Sequence, residues 1–301
     1  MQRVWHLNFD ADEELAGHQA TAKRSLAMQA KLTAAVSALV AGDEVLDTNE
    51  NYGGKAVGIA FMPTPRALSV LERCGLTTPL APSFDVLRKA NSRALSAGLG
   101  VALEGATFTT VEEEAISVLS TPSPSGTWLL KREFGFAGRG SKRFEGNSLT
   151  DDVRAFVRNS LEHGGLEITP WVTRLADFAL HGFLRADGSY EEGSPTTQHC
   201  DKFGQWEQTV TATNSDLTTE EAHALSASLR ESAVALHGIG YFGPFGIDGF
   251  RYVRGTAEGE EAQFCPRCEI NARYTMGWAI GMGENRADIA CVNSWIHRSE
   301  K

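Results

Sequence analysis

Apolar positions along the chain switch between the two-residue period of strands and the 3.6-residue period of helices, and the switches divide it into elements. VWHLNF (4–9) reads as an opening strand. Asp10 is placed to cap a helix over 11–41, with Glu13 completing a capping box and Gly42 just past its end. KAVGIAFM (55–62), apolar and bounded by Gly-Gly and Pro, predicts a buried strand. A helix follows, capped by Thr64, with Pro65 at its first position and Gly75 as its stop. Strand–helix–strand–helix order predicts a small parallel α/β unit over residues 1–82.

The segment 82–100 predicts a helix and a connector, and TTVEEEAISVLS (109–120) a helix with acids in its first turn, where the helix dipole favours them. A Ser/Pro-rich turn leads into the strand TWLLKREF, a glycine loop and a returning strand, SKRF. Thr150 caps a helix that stops at Gly164, and the strand LEITPWV comes next. The last third holds the strand FALHGFL and a turn at Ala186–Gly188. A long helix then starts from the capping box of Thr218 and Glu221 and runs to Gly238. GPFGIDGFRYV and AQFCPRCEINAR follow as a hairpin around a charged loop at 254–261.

Composition narrows the function. The chain has 301 residues, a net charge of −10 and a pI near 5.3, which argues against general nucleic-acid binding, since that needs a basic face. No run reaches the about 18 apolar residues of a membrane helix. The first residues lack the basic start, apolar core and cleavage site of a signal peptide, so a cytoplasmic location is expected. Five scattered cysteines suggest reduced thiols. CPRC (265–268) has no second pair of ligands at zinc spacing, and packed strand cysteines are the simpler reading.

The chemistry concentrates in CEINAR (268–273). In a strand, Glu269, Asn271 and Arg273 share one face and Ile270 and Ala272 the other. If the hairpin turn is centred in its charged loop, Asp248 falls opposite Glu269, with Tyr252 opposite Cys265 and Arg254 opposite Gln263. Like charges directly opposed destabilise a strand pair. Either this face is solvated, or a cation joins its oxygens, for which Asp, Glu and Asn suit Mg²⁺ or Mn²⁺ rather than zinc. Upstream, Lys131 ends an apolar strand, and Gly135, Gly138 and Gly140 punctuate the loop after it. Such a loop can turn backbone N–H groups inward on an anion, with the lysine as a point charge. It matches neither the Walker pattern nor GxGxxG.

Together, the lysine with its glycine loop and the later acid/acid/amide row ending in arginine resemble the ATP-grasp superfamily over residues 83–290. The resemblance implies two grasping subdomains, 83–172 and 173–301, of α+β character, behind the α/β unit. It implies ATP and Mg²⁺ (or Mn²⁺), and small carboxylate and amine substrates such as amino acids or peptides, without nucleic acid or membrane; a homodimer is left open. Lys131 looks like the lysine on the α-phosphate, and Gly135, Phe136, Ala137, Gly138, Arg139, Gly140 and Ser141 like the flap over the β- and γ-phosphates. Asp248, Glu269 and Asn271 match the magnesium ligands, and Arg273 the arginine that steadies the transferred phosphoryl. Glu167, Trp171 and Val172 fall near adenine, and Asp177 near ribose.

Two positions depart from the family pattern. Arg93 stands where a second lysine is common, and Gly246 where ligases building D-alanyl dipeptides carry an arginine. Arg66, at a helix start, can clamp a substrate carboxylate or lie on the surface. Arg174 can face the cleft, His181, His199 and His237 read as structural or solvated, and Met276 and Trp278 as core. The expected activity is an ADP-forming ligase working through an acyl-phosphate. The alternative is a nucleotide-binding regulatory protein with a degraded site.

Overall fold

The computed structural model describes residues 2–18, 32–100, 103–135, 140–145, 149–200, 206–254, 261–284 and 286–299. The opening strand β1 (Gln2–His6) lies between β2 (Glu44–Val45) and β3 (Ala56–Ala60), and both pairings are parallel. Every residue of β3 is buried, as its unbroken apolar run implies. Helix Pro65–Arg73 follows, its first turn closed by Thr64, whose hydroxyl accepts from the Ala67 N–H.

The helix expected over 11–41 is interrupted. Its described parts include Ala11–Leu15 and Ser37–Val40, and residues 19–31 lie outside the described set. Asp10 makes no side-chain cap bond, because its carboxylate pairs with Arg66 at 2.7 Å instead.

A second sheet runs β4 (Thr107–Thr109), β7 (Leu166–Pro170), β5 (Thr127–Arg132), β6 (Ser141–Glu145), all antiparallel. Helices Glu112–Leu119 and Asp151–Glu162 lay Ala115, Leu119, Val153 and Val157 on Trp128, Leu130 and Ile168. The third sheet runs β11 (Trp206–Thr211), β10 (Thr196–Cys200), β8 (Thr173–Leu184), β12 (Gly243–Val253), β13 (Gln263–Asn271), with β9 (Tyr190–Glu192) on β8. Helix Thr219–Gly238 buries Leu225, Leu229, Ala233 and Leu236 against this sheet, at the three- and four-residue spacing of one helix face. Leu87 and Ala90 of helix Phe84–Ala90 share that core, as do Ala11 and Leu15, so the start of the chain is packed onto the third sheet. Trp278 and Tyr274, just past β13, pack with Trp5 of β1 and with Phe61, just past β3.

The Thr218–Glu221 capping box forms as its sequence predicts: Thr218 N–H donates to Glu221 at 2.9 Å and Glu221 N–H to Thr218 at 3.2 Å. Thr218→Ala is expected to cost about 1 kcal/mol, read as a lowered urea midpoint with an unchanged slope.

Candidate active site

The hairpin β12–β13 supplies the floor of a cleft of about 960 Å³ between the second and third sheets. Asp248 pairs with Glu269, Ile247 with Ile270 and Gly246 with Asn271, the register expected at this end. Toward the turn the register differs: Tyr252 faces Gln263 and Phe250 faces Cys265, not the predicted Tyr252–Cys265 and Arg254–Gln263. β13 carries two extra residues there, Pro266 and Arg267. A proline has no N–H for the ladder, so a bulge is where a strand tolerates it. Gly249 lets the bulge close, since a Cβ at that position would stand 2.8 Å from the Cys265 carbonyl oxygen. Cys265 is buried beside Val172 and Phe250 with Cys268 against it, and both thiols are pushed up by burial, Cys265 to about 11. They pack as small hydrophobes.

Both oxygens of Asp248 are engaged. Gln198 Nε2 donates to one at 2.8 Å and Asn271 Nδ2 to the other at 2.9 Å, which leaves Asn271 Oδ1 as a further oxygen in the row. Burial, and after it the Glu269 charge, lift the Asp248 carboxyl to about 6. Two carboxylates and an amide oxygen, one acid destabilised by the other, form a donor set that fits a hard divalent cation.

This shift sets a pH dependence. A carboxyl at about 6 in the folded state against 3.8 unfolded means that the native protein holds more protons in that window. The Asp248 contribution to stability therefore falls as pH rises from about 4 to about 6, by roughly 2–3 kcal/mol. Mg²⁺ is expected to raise the denaturation midpoint more at pH 8 than at pH 5, where protonated Asp248 binds it poorly.

Facing this floor across the cleft is β5. Lys131 lies opposite Glu167 of β7 in the strand register, and its ammonium is 3.0 Å from that carboxylate. Arg93 is engaged three ways. Nε donates to the Arg132 carbonyl at 3.0 Å, one terminal nitrogen is 3.4 Å from Glu167, and the other is 3.1 Å from Glu269. Burial works against the Glu167 charge, but Lys131 and Arg93 together outweigh it and hold the carboxyl below its usual range. Gly135, Gly140 and Ser141 line the cleft beside Lys131, whereas Phe136, Ala137, Gly138 and Arg139 lie outside the described residues.

Leu103, Phe108, Leu129, Val172 and Phe250 give the cleft an apolar part of its lining, and Leu103, Val172 and Phe250 pack together. Trp171 also lines the cleft, with the Arg143 guanidinium 3.5 Å over its ring centre. Arg174 does face the cleft, stacked 4.1 Å over Phe250 and paired with Asp177 at 2.7 Å. Arg273 lines the cleft and is buried, with one terminal nitrogen 3.3 Å from Asp12. Burial raises the Asp12 carboxyl, with Arg273 opposing that rise.

Arg66 stands apart from this cleft. Asp10 and Glu14 take its guanidinium, and the N–H of Arg66 itself donates to Glu14 at 3.1 Å. The helix start proposed to receive a substrate carboxylate is thus filled by one from the chain. Met276, expected in the core, lines the cleft as well as packing beside Trp278. His181 is buried and pushed down to about 4 by desolvation, with Nε2 2.9 Å from the Thr275 hydroxyl. Its ring explains Gly246: a Cβ at that position would lie 2.9 Å from His181 Cδ2, so the strand has no room there for an arginine. His199 and His237 are exposed.

Sequence reasoning missed Asp12 and Gln198. Asp12 sits among four acids in DADEE with nothing to mark it, and Gln198 lies on a polar strand without apolar alternation.

No family model and no curated protein matches the chain. Solved structures do. D-alanyl-alanine synthetase A of Vibrio cholerae is 12% identical with a TM-score of 0.57, covering 97% of this chain and 98% of its own. A D-cycloserine synthetase is 16% identical with a TM-score of 0.53, over 95% and 99%. The biotin carboxylase of Campylobacter jejuni, solved as a beta-gamma-ATP complex, is 12% identical with a TM-score of 0.51, over 93% of this chain and 65% of that one. With its parallel sheet, two antiparallel sheets and the cleft between them, this chain has the ATP-grasp fold.

Proposed function

We propose that the chain is an ATP-dependent, ADP-forming carboxylate–amine ligase. The observation that carries this reading is the disposition of charge across one cleft: Asp248, Glu269, Asn271 and Arg273 on the floor, Lys131 and Arg93 facing them. A triphosphate needs cations at several points, and a transferred phosphoryl needs an arginine fork at the receiving end. Trp171, Val172 and Phe250 in the cleft lining suit an adenine ring, and Asp177, also in that lining, would accept from ribose hydroxyls. The proposed division into units 1–82, 83–172 and 173–301 puts this cleft between the last two.

In the reaction, a substrate carboxylate oxygen attacks the γ-phosphorus of ATP. The P–O bond to the β-phosphate breaks, giving an acyl-phosphate and ADP. An amine then attacks the acyl carbon, the C–O bond to phosphate breaks, and the amine's proton passes to the departing phosphate. Lys131 and Arg93 would hold the phosphate chain, Asp248, Glu269 and Asn271 would hold the divalent cation, and Arg273 would hold the oxygens of the migrating group. The cation, when bound, neutralises phosphate charge and keeps the reacting atoms in line. Catalysis is positioning and charge stabilisation, so no protein nucleophile is needed.

The test is release of ADP and phosphate in a screen of amino acids and short peptides with ATP and Mg²⁺. Substrate-dependent release with an amide product supports the ligase. ATP binding without turnover across the screen would favour the regulatory alternative.

A further inference from the structure

The position of Arg93 asks for more than a phosphate contact. It is the first residue of helix Arg93–Gly98, yet its guanidinium reaches three strands: β5 at the Arg132 carbonyl, β7 at Glu167 and β13 at Glu269. Its side chain is only 11% exposed. Glu167 already has Lys131 as a partner, so the distinctive contact is with Glu269, the acid that faces Asp248 across the hairpin. A lysine could not make this arrangement, because one ammonium cannot span a carbonyl and two acids on different strands. That is a physical reason for arginine at a position where related folds often carry lysine.

Resting on the reading of Asp248, Glu269 and Asn271 as a divalent-cation row, we infer that Arg93 is a resident counter-ion for Glu269, standing in for the metal and yielding when the metal and nucleotide arrive. Arg93 neutralises the acid that would otherwise repel Asp248 in a half-buried floor. A divalent cation approaching Glu269 meets a positive charge 3.1 Å from one carboxylate oxygen, so binding without nucleotide is weakened. Triphosphate oxygens draw the guanidinium away from Glu269 and remove that penalty. Metal and nucleotide then assist each other by the same factor, since coupling is reciprocal. Arg93 also ties the floor of the cleft to its facing wall, so the exchange of partners at Glu269 accompanies opening of that tie.

The experiment is Mn²⁺ binding without nucleotide, read from the free-ion signal by electron paramagnetic resonance and repeated by calorimetry. Arg93→Gln is expected to bind Mn²⁺ at least about tenfold more tightly than the wild type, a shift of about 1.4 kcal/mol. Adding Glu269→Gln to it should abolish the gain. Arg93→Lys, which keeps one charge and is the gentler change if the glutamine variant fails to fold, should show a smaller gain in the same direction. Equal or weaker Mn²⁺ binding in both Arg93 variants, with Glu269→Gln alone still lowering affinity, would overturn the counter-ion role and leave the metal row standing. If neither Glu269→Gln nor Asp248→Asn altered Mn²⁺ binding in the presence of a non-hydrolysable ATP analogue, the row itself would fall, and the role of Arg93 with it.

Discussion

Glu269→Gln is expected to lower turnover about a thousandfold while ATP affinity stays within a few-fold of the wild type. The proposed mechanism asks this carboxylate for one of two negative charges that hold the divalent cation, and a thousandfold corresponds to about 4 kcal/mol of transition-state stabilisation. That mechanism gives ATP its other anchors at Lys131 and along the apolar lining, so binding and chemistry should separate. Initial rates of ADP release on a confirmed substrate, set beside calorimetric ATP titration, make the distinction. Activity within tenfold of the wild type would remove Glu269 from the metal row.

The same substitution shows what the structure adds. Two acids opposed across a hairpin, considered alone, suggest that neutralising one should raise the stability of the ligand-free protein. Glu269 is paired with Arg93 at 3.1 Å, so Glu269→Gln leaves a nearly buried guanidinium with Glu167 as its remaining acid. The ligand-free variant should therefore lose about 1–2 kcal/mol rather than gain stability. Denaturation of the ligand-free variant and wild type at pH 8 checks the sign.

Why that pair was hidden from the sequence is a matter of range. The strand period put Glu269, Asn271 and Arg273 in one row, but the predicted pairing of Asp248 with Glu269 forms only because the Pro266–Arg267 bulge offsets a turn register that the even spacing set two residues off. The contacts of Arg93 reach Glu167 and Glu269, in strands far along the chain, and no periodicity encodes them. The turn end of the same hairpin was misread for a local reason: the Pro266–Arg267 bulge displaces the register by two residues, and even spacing cannot anticipate that. Arg267 is held in the bulge by Glu231 at 2.6 Å and the Leu99 carbonyl at 2.9 Å, partners on distant segments.

Elements with strong local signals emerged as read. Thr64, Thr150 and Thr218 all cap the helices assigned to them, and the Lys131 hairpin pairs β5 with β6. The strands β9, β10 and β11 gave no comparable signal. TTQHC and WEQTVT are rich in threonine and polar residues, and their pairing, β10 on β8 and β11 on β10, is supplied by tertiary packing. Those strands bring Gln198 to Asp248, so this hydrogen-bond partner of Asp248 was not legible either.

Arg273→Lys is expected to cut turnover by about a hundredfold to a thousandfold with ATP affinity little changed. The migrating phosphoryl carries its charge on several oxygens at once. A planar fork can hold two of them, whereas an ammonium is a single point of charge on a flexible stem. The surroundings of Arg273 are built for a fork. Its side chain is 8% exposed, and one terminal nitrogen is 3.3 Å from Asp12, a residue of the first helix whose carboxylate is itself buried. Asp12 thus fixes the direction of the fork from the opposite end of the chain. Asp12→Asn should accordingly lower kcat by about tenfold while leaving the KM for ATP unmoved, and Asp12→Glu should recover part of it. A purely structural contact would instead lower the denaturation midpoint without that split. Turnover by Arg273→Lys at the wild-type rate on a confirmed substrate would mean that the arginine does not touch the reacting group, and phosphoryl transfer would need another cation in the cleft.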